Sequence, residues 1–231
     1  MKISQIVPAI LSKVEEEIKS VNDVPLTIGI YRASGIGFCS RATQYKYMGT
    51  KSESISPETQ LLFNDGKLHE IDICNNLAKV GVVSSQQQSV SKRYNHKGEE
   101  FVLTGTIDGK FNGILFDAKS ISTFRFKYLE KNFPKDYMSY VIQGHIYMDI
   151  FNDKKMFFLF KDKNSSWLKA LVQKYDPLIM RDILDKIVEL QQGLKANTMI
   201  SRPYGRDTWQ CKLCNYRLSC WKLPMERRTS T

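Results

Sequence analysis

Two aspartates and a lysine lie close together in the chain around the dipeptide Asn112-Gly113, which is a strong signal for a two-residue hairpin turn. The register that this turn sets gives three facing pairs: Phe111 with Ile114, Lys110 with Leu115, and Asp108 with Asp117. Facing side chains have Cβ atoms roughly 4.5–5.5 Å apart, so the two carboxylates would repel each other without a cation between them. Alternate residues of a strand share a face, which places Lys119 on the same side as Asp117.

These three side chains have the composition of a phosphoryl-transfer site. A divalent metal ion held by Asp108 and Asp117 would polarise a phosphate and lower the pKa of a bound water from ~15.7 towards ~7. Lys119 would orient that water or stabilise the charge that develops in the transition state. The competing interpretation is a solvated hairpin with ordinary surface charges. The D-x-K pattern alone favours that hairpin, and the facing register of Asp108 makes the two interpretations equal.

Three cysteines near the C-terminus, Cys211, Cys214 and Cys220, follow the spacing C-x2-C-x5-C. Four sulfurs are needed to hold a tetrahedral metal ion or a cubane cluster. Cys39 is the better candidate for the fourth, because Cys74 lies in an apolar helical stretch where a buried free cysteine is common. The spacing does not separate zinc from an iron–sulfur cluster, since both accept four thiolates.

Hydrophobic periodicity predicts most of the elements that must position these residues. We expect helices over 3–20, 57–80 (with a break at Asn64-Asp65-Gly66), 135–150 and 178–195, and a further helix that begins at the Ser34–Gly37 turn and carries Cys39 and Arg41. We expect strands over Phe101–Asp108, Ile114–Ser120 and Met156–Phe160. Helices around a small mixed sheet indicate an α/β sandwich. No convincing linker precedes residue 196, so the sequence predicts a single domain over 1–231 with a polar tail at 197–231.

The charge of the chain favours a polyanionic partner. Its 34 Lys and Arg outnumber 24 Asp and Glu, which leaves a formal charge of +10, and each phosphate that a cation neutralises releases a counterion. Nucleic acid ranks first, a basic protein merely kept soluble by its charge second, and an anionic membrane surface third. The short apolar stretch Ile6–Leu11 runs into three glutamates, unlike a secretion signal. We therefore expect a cytoplasmic protein (in the host cytoplasm if viral) with no membrane span, whose cysteines bind metal.

The segment Gly105-Thr-Ile-Asp108 followed by Asp117-Ala-Lys119 resembles the core of the PD-(D/E)XK nucleases, which have a restriction-endonuclease-like fold. The usual Glu of the second acidic position is Asp117 here. This accepted variant shortens the side chain and could alter the metal preference. The resemblance implies a mixed sheet flanked by helices, with Lys119 as the catalytic lysine.

Two more segments resemble the RecB-like branch of that family. Gly66-Lys-Leu-His69 is similar to the branch's helical histidine, which supplies a metal ligand, and Gln143-Gly-His-Ile-Tyr147 is similar to its Q-x-x-x-Y helix. Gln143 and Tyr147 are four residues apart and therefore share one helical face. The resemblance implies that this pair positions the substrate or the water.

The early cysteine and the terminal trio together resemble the iron–sulfur staple of AddB nuclease domains and of the CRISPR-adaptation nucleases of the same RecB-like group. The resemblance implies a [4Fe–4S] cluster that is held by Cys39, Cys211, Cys214 and Cys220 and staples the terminal regions. Its role in that family is structural, with no redox step in cleavage. A structural zinc ion remains the main alternative.

Taken together, the resemblance implies a DNA nuclease that uses Mg²⁺ or Mn²⁺, with His69, Asp108 and Asp117 as metal ligands. It implies exonucleolytic cutting with a preference for single-stranded ends. The settings that fit are DNA recombination, repair, phage DNA replication or processing, and CRISPR spacer acquisition, alone or with protein partners in such a complex. The rival hypothesis is a DNA-binding module of a larger complex that cleaves nothing.

The segment Phe124-Arg-Phe-Lys-Tyr128 alternates aromatic residues with cations directly after the second predicted strand. Such a surface can stack bases and neutralise the backbone of a single strand. The segment can equally contribute aromatic side chains to the core, with its cations in solvent.

Overall fold

The structure is a computed structural model that describes residues 3–20 and 26–222, so the end of the tail at 223–231 lies outside the described residues. The helices are α1 (Ile6–Ser20), α2 (Ala33–Ile36), α3 (Ser40–Tyr47), α4 (Pro57–Ala78), α5 (Thr123–Lys127), α6 (Leu129–Asn132), α7 (Met138–Phe151), α8 (Pro177–Lys195), α9 (Trp209–Lys212) and α10 (Arg217–Trp221). The strands are β1 (Ile30–Arg32), β2 (Val83–Ser84), β3 (Gln88–His96), β4 (Glu99–Ile107), β5 (Gly109–Phe111), β6 (Ile114–Ile121), β7 (Lys155–Asp162) and β8 (Leu168–Lys174). Short 3-10 helices at Ile3–Gln5 and Lys135–Tyr137 precede α1 and α7.

The chain divides into two compact units, which we call the sheet unit and the terminal unit. The sheet unit contains residues 29–37 and 61–188, and the terminal unit contains the described residues of 1–28, 38–60 and 189–231. Cys39 and the described part of the 197–231 tail belong to the terminal unit. That the whole chain forms a single domain stays a prediction.

Two mixed sheets form the framework of the sheet unit. One has the order β1-β4-β3, in which β1 is parallel and β3 antiparallel to β4. The other has the order β2-β5-β6-β7-β8, in which only the β6–β7 pair is parallel. The predicted mixed α/β architecture, with mixed sheets flanked by helices, is confirmed.

Helix α4 packs against the second sheet through its C-terminal half. Ile73 and Cys74 form a buried cluster with Phe116, Ala118 and Leu159 of β6 and β7. The predicted break at 64–66 is wrong, because α4 runs without interruption from residue 57 to 78. A glycine inside a helix costs only about 0.5–1 kcal/mol, and this apolar packing further along α4 offsets that cost.

The hairpin turn at Asn112-Gly113 is confirmed. Both residues have positive φ, 47° and 81°, as a type I′ turn requires, and the ladder contains the first two predicted pairs, Phe111 with Ile114 and Lys110 with Leu115. The third predicted pair is wrong, because the ladder ends with Gly109 facing Phe116. Asp108 lies between β4 and β5, and β4 belongs to the other sheet.

The other predicted elements agree with the structure, but several strands of the structure have no counterpart in the prediction. The helices at 3–20, 135–150 and 178–195 correspond to α1, α7 and α8, and the strand at 156–160 corresponds to β7. The helix expected after the Ser34–Gly37 turn begins at Ser40, with Cys39 as its N-cap residue. The prediction misses β3 and β8, because most of their residues are polar or exposed. It also misses β1 and β2, because strands this short give no periodic signal.

In the terminal unit, buried Gln44 ties α3 to the segment that follows α8. Its side chain donates to Thr198 O at 2.6 Å and accepts from Ile200 N at 3.0 Å. Arg41 adds a hydrogen bond to Ile200 O. Gly193 of α8 permits this close approach, since a Cβ there would lie 2.9 Å from Ile200 and 3.0 Å from Gln44.

Candidate active site

Asp108 is held at the end of β4 by the backbone of β6. Its Oδ2 accepts a hydrogen bond from Ala118 N at 2.7 Å, and its Oδ1 accepts from Gln87 Nε2 at 3.4 Å. The carboxylate is buried, with 8% of the residue exposed. Asp108 therefore reaches the strand of Asp117 through its hydrogen bond with the neighbouring Ala118 N, although the two aspartates do not pair in the ladder.

Asp117 and Lys119 form a buried ion pair on β6, with Lys119 Nζ 2.5 Å from Asp117 Oδ2. The pKa of Asp117 is raised to about 7, because burial and the charge of Asp108 raise it by more than Lys119 lowers it. Burial lowers the pKa of Lys119, but the charges of Asp117 and Asp108 outweigh that effect and raise it overall. Lys119 therefore stays a cation near neutral pH.

One oxygen of this ion pair lacks a well-directed donor. Among the described residues, Asp117 Oδ2 is buried and accepts no hydrogen bond of good geometry, despite its short distance to Lys119 Nζ. A buried carboxylate oxygen without a donor is costly, and a metal ion compensates it as a hydrogen bond would. This atom is the feature of the site that fits a hard cation best.

The sequence did not single out Glu70, yet its carboxyl group belongs to the same electrostatic cluster. Burial raises the pKa of Glu70, the charge of Asp108 raises it further, and Lys119 lowers it. Glu70 in turn raises the pKa of Asp117. Three carboxyl groups and one lysine thus interact in the sheet unit.

His69, the predicted metal ligand on the same helix, interacts with other groups. Burial lowers its pKa, Lys161 and Lys163 lower it further, and Asp65 and Asp72 raise it. None of these four groups is a carboxylate of the candidate site. A ligand role for His69 stays a prediction, and the electrostatic interactions of Glu70 with Asp108, Asp117 and Lys119 make Glu70 a further candidate.

Tyr147 and Gln143 lie beside the carboxylates on α7. Gln143 Nε2 donates to Tyr147 OH at 3.1 Å, and Tyr147 OH donates to Thr106 O at 2.9 Å. Burial raises the pKa of Tyr147, and Asp117, Lys119 and Asp108 all affect it electrostatically. The predicted helical pair is therefore formed and lies within reach of the charged cluster.

A polar groove in the sheet unit begins at this pair, with a volume of about 440 Å³. Its other lining residues are mostly hydroxyl-bearing and include one cation: Arg32, Ser34, Ser89, Val90, Ser91, Thr104, Gly105 and Thr106. Within the described part of the chain, no carboxylate lines the groove. Arg32 is exposed and forms no ion pair with any residue in the described ranges. A groove of hydrogen-bond donors without an acid suits an anionic ligand.

In the terminal unit, the four cysteines of the predicted cluster line one small cavity. Cys39, Cys211, Cys214 and Cys220 share its wall with residues such as Arg217, whose buried Nε has no hydrogen-bond partner within the described part of the chain. Cys74 lies elsewhere, in the core of the sheet unit, where burial raises the pKa of its thiol to about 11. The cavity thus brings Cys39 together with the C-terminal trio, and Cys39 as the fourth ligand stays a prediction.

Backbone amides surround two of these thiols. Cys39 is the N-cap residue of α3, where burial raises the pKa of the thiol and the N–H groups of Ala42 and Arg41 lower it. Tyr216 N donates to Cys214 Sγ at 3.4 Å, and burial raises the pKa of this thiol too. Across residues 3–20 and 26–222, however, no three His, Cys, Asp or Glu side chains are placed so that they could hold a metal ion as they stand.

Comparison with known proteins shows the fold. No family model matches the chain, and no curated protein matches it. The crystal structure of SSO0001 matches with a TM-score of 0.59 and 15% identity over 93% of this chain and 96% of that one. The alkaline exonuclease LHK-Exo of Laribacter hongkongensis, in complex with dAMP, matches with a TM-score of 0.50 and 13% identity over 74% and 90%. The chain thus shares the fold of a known exonuclease.

Proposed function

We propose that this chain is a metal-dependent DNA nuclease. The observation that carries the proposal is the buried oxygen of Asp117, which has a cation on one side and no well-directed donor. Burying Asp108 and Asp117 beside a lysine, with the partly buried carboxyl group of Glu70 interacting with them, is costly for stability and is weak evidence of a structural role. Strongly perturbed pKa values in such a cluster are typical of catalytic sites.

The carboxyl groups of Asp108, Asp117 and Glu70 are the ones that would hold Mg²⁺ or Mn²⁺, since both ions prefer oxygen ligands. The metal, when bound, would polarise the phosphate and lower the pKa of a water nucleophile. Asp108 is already held in position for this role, because Ala118 N donates a hydrogen bond to one of its oxygens. The preference between Mg²⁺ and Mn²⁺ is measured by running the cleavage assay with each ion.

Lys119 would stabilise the negative charge that develops on the phosphate or orient the water. Its environment suits either task, because the residues around it keep it charged and hold its ammonium group beside Asp117. Tyr140 lies under the ammonium group, with the ring centroid 5.3 Å away, and restricts its movement. A preorganised cation of this kind costs little reorganisation at the moment of reaction.

The groove beside Tyr147 and Gln143 would contact the DNA backbone. Its hydroxyl groups and Arg32 can donate to phosphate oxygens, and the net charge of +10 favours the same partner. The pair on α7 would position the nucleotide next to the bond that is cut. Half or more of the contacts in protein–DNA complexes are of this backbone type, so the groove predicts affinity without sequence preference.

At a finer level we propose an exonuclease that prefers single-stranded ends. LHK-Exo, whose fold the chain shares, is described as an exonuclease. Recombination, repair, phage DNA processing and CRISPR spacer acquisition all remain compatible settings, with or without protein partners. No helix in the described ranges is long and apolar enough to span a bilayer.

Cleavage of end-labelled single- and double-stranded DNA with Mn²⁺ tests the proposal. We expect the native chain to cut and Asp117→Ala to be inactive, while Asp136→Ala, a change at an exposed aspartate, cuts like the native chain. Binding without cutting by a native protein with its full metal content would refute the nuclease and support the alternative, a DNA-binding module that cleaves nothing.

The four-cysteine cavity supports a second proposal, a [4Fe–4S] cluster that joins the segment at Cys39 to the C-terminal segment. Four thiolates would bring negative charge to the cavity, which Arg217, whose Nε is buried there, would offset. Iron, sulfide and zinc analysis of anaerobically purified protein tests it. We expect iron and sulfide that are lost in Cys39→Ser and kept in Cys74→Ser, whereas stoichiometric zinc would favour the structural zinc site instead.

A further inference from the structure

Two segments leave the second sheet side by side at the carboxyl ends of its parallel strands. β6 and β7 are paired up to Ile121 and Asp162. Buried Asp162 then connects the two segments, because its carboxylate accepts hydrogen bonds from Thr123 Oγ1 at 2.8 Å and from Ser165 Oγ at 2.6 Å. Asn164 Nδ2 also donates to Thr123 Oγ1 at 3.0 Å. The start of α5 and the β7–β8 turn are therefore held together.

Large aromatic side chains project into solvent from both segments. Phe124 is 75% exposed, Tyr128 38% and Trp167 73%. The Phe124 and Tyr128 rings lie edge to face, with centroids 5.3 Å apart. Phe126, by contrast, is buried, so only part of the aromatic segment at 124–128 belongs to the core. We call Phe124, Tyr128 and Trp167 the aromatic platform.

Each of the two segments that carry the aromatic platform also carries a lysine that can meet phosphate. Lys127 Nζ lies 5.4 Å from the centre of the Tyr128 ring, and Lys163 follows β7 directly. Neither lysine forms an ion pair with a residue of the described ranges. The neighbouring acid Glu130 is already paired with Lys169 at 3.3 Å.

We propose that the aromatic platform stacks the unpaired bases of a single DNA strand, an inference that rests on the proposed nuclease function. Aromatic rings with interspersed cations bind single strands because every base has a face that stacks and every phosphate a charge to neutralise. The platform follows the strand that carries Asp117 and Lys119. At about 3.3 Å per residue, Ile121 lies roughly 13 Å from Asp117 along β6. A single DNA strand can therefore contact both the aromatic platform and the site at Asp117.

A single strand is the occupant that these observations favour. The bases of a duplex are stacked on one another and offer no faces to Phe124 or Trp167. A protein partner would be expected to meet a continuous apolar patch, whereas Lys127 and Lys163 interrupt this one. Aromatic–cation alternation at a nuclease site is thus best matched by unpaired nucleotides.

Binding measured by fluorescence anisotropy in EDTA, with a labelled single-stranded oligonucleotide and its duplex, tests the proposal without cleavage. We expect Phe124→Ala and Trp167→Ala each to weaken single-strand binding about 5- to 100-fold, the range for losing one stacked base. Duplex binding should change less than about twofold. Phe63→Ala is the matched control, since Phe63 is an exposed phenylalanine (55%) on α4.

Two further variants separate stacking from apolar contact. Trp167→Phe should keep the affinity, because a ring remains, while Phe124→Leu should lose it as Phe124→Ala does. Single-strand affinities of both alanine variants within twofold of the native chain would overturn the platform even if the native chain cuts DNA. Platform-dependent binding by a chain that cuts nothing would uphold it and refute the nuclease.

Discussion

The placement of Tyr147 makes a sharp prediction for Gly105→Ala. A Cβ at Gly105 would lie 2.5 Å from Tyr147 Cε1 and 2.8 Å from its hydroxyl oxygen. Tyr147 cannot simply move aside, because it is 2% exposed and its hydroxyl group bonds to Thr106 O and Gln143 Nε2. The added methyl group must therefore displace a ring that lies at the candidate site.

The destabilisation that Gly105→Ala causes has two parts. Overpacking a well-filled site costs about 1–3 kcal/mol, and each hydrogen bond lost at the Tyr147 hydroxyl costs about 1 kcal/mol. We therefore expect Gly105→Ala to lower the free energy of unfolding by about 2–4 kcal/mol. For a chain of this length, that lowers Tm by roughly 5–15 °C. Cleavage should fall as well, because the Gln143–Tyr147 pair loses its position.

Thermal melting and the cleavage assay on the same preparations check this prediction. Gly66→Ala is the matched control, since a Cβ at Gly66 meets no atom within 4 Å and alanine favours α4 by about 0.5–1 kcal/mol. In a Tyr147→Ala background, Gly105→Ala should cost almost nothing more, because the methyl group no longer meets a ring. A Gly105→Ala protein with native Tm and native cleavage would refute the packing of Tyr147 and its positioning role.

Two other predictions concern the metal and the groove. Glu70→Gln should abolish Mn²⁺-dependent cleavage and the stabilisation that Mn²⁺ gives, which is about 2.7 kcal/mol in free energy of unfolding at a hundredfold excess over Kd and is seen as a rise in Tm. His69→Gln should keep both, and the reverse result would support the histidine as the ligand. Arg32→Gln should lower the slope of log K against log salt for binding of single-stranded DNA by about 0.7, the value for one phosphate contact. Arg93→Gln, which removes an arginine outside the groove, should leave that slope unchanged. Equal slopes for the two variants would exclude Arg32 as a phosphate contact.

The parts of the site that could be predicted from sequence depend on local chemistry. The turn at Asn112-Gly113 needs two positive φ angles, which that dipeptide tolerates, and the turn sets the first pairs of the ladder by itself. Gln143 and Tyr147 lie on one helical face because they are four residues apart, which requires only that the segment is helical. Both features follow from a few neighbouring residues, so the sequence predicts them without knowledge of the remaining fold.

The path of β4 depends on contacts that sequence patterns do not show. Its partner β1 lies about 70 residues earlier in the chain, and its other partner, β3, has the sequence QSVSKRYNH with hardly any apolar alternation. β4 therefore joins a separate sheet and leaves Asp108 beyond the end of the β5–β6 ladder. The carboxylate still reaches β6, because a side chain can accept from Ala118 N without belonging to the ladder.

The choice between His69 and Glu70 shows how one wrong local prediction changes a proposed role. Had α4 broken at Gly66, the orientation of the next turn would have been free, and a histidine could have faced the carboxylates. Because α4 is continuous, its buried pair Ile73 and Cys74 fixes the face of every residue near them. At 100° per residue, Glu70 lies ~10° from the centre of that face and His69 ~90° from it. The packing of α4 therefore places Glu70 on the face that meets the second sheet, and a ligand role for His69 stays a prediction that the two variants at positions 69 and 70 test.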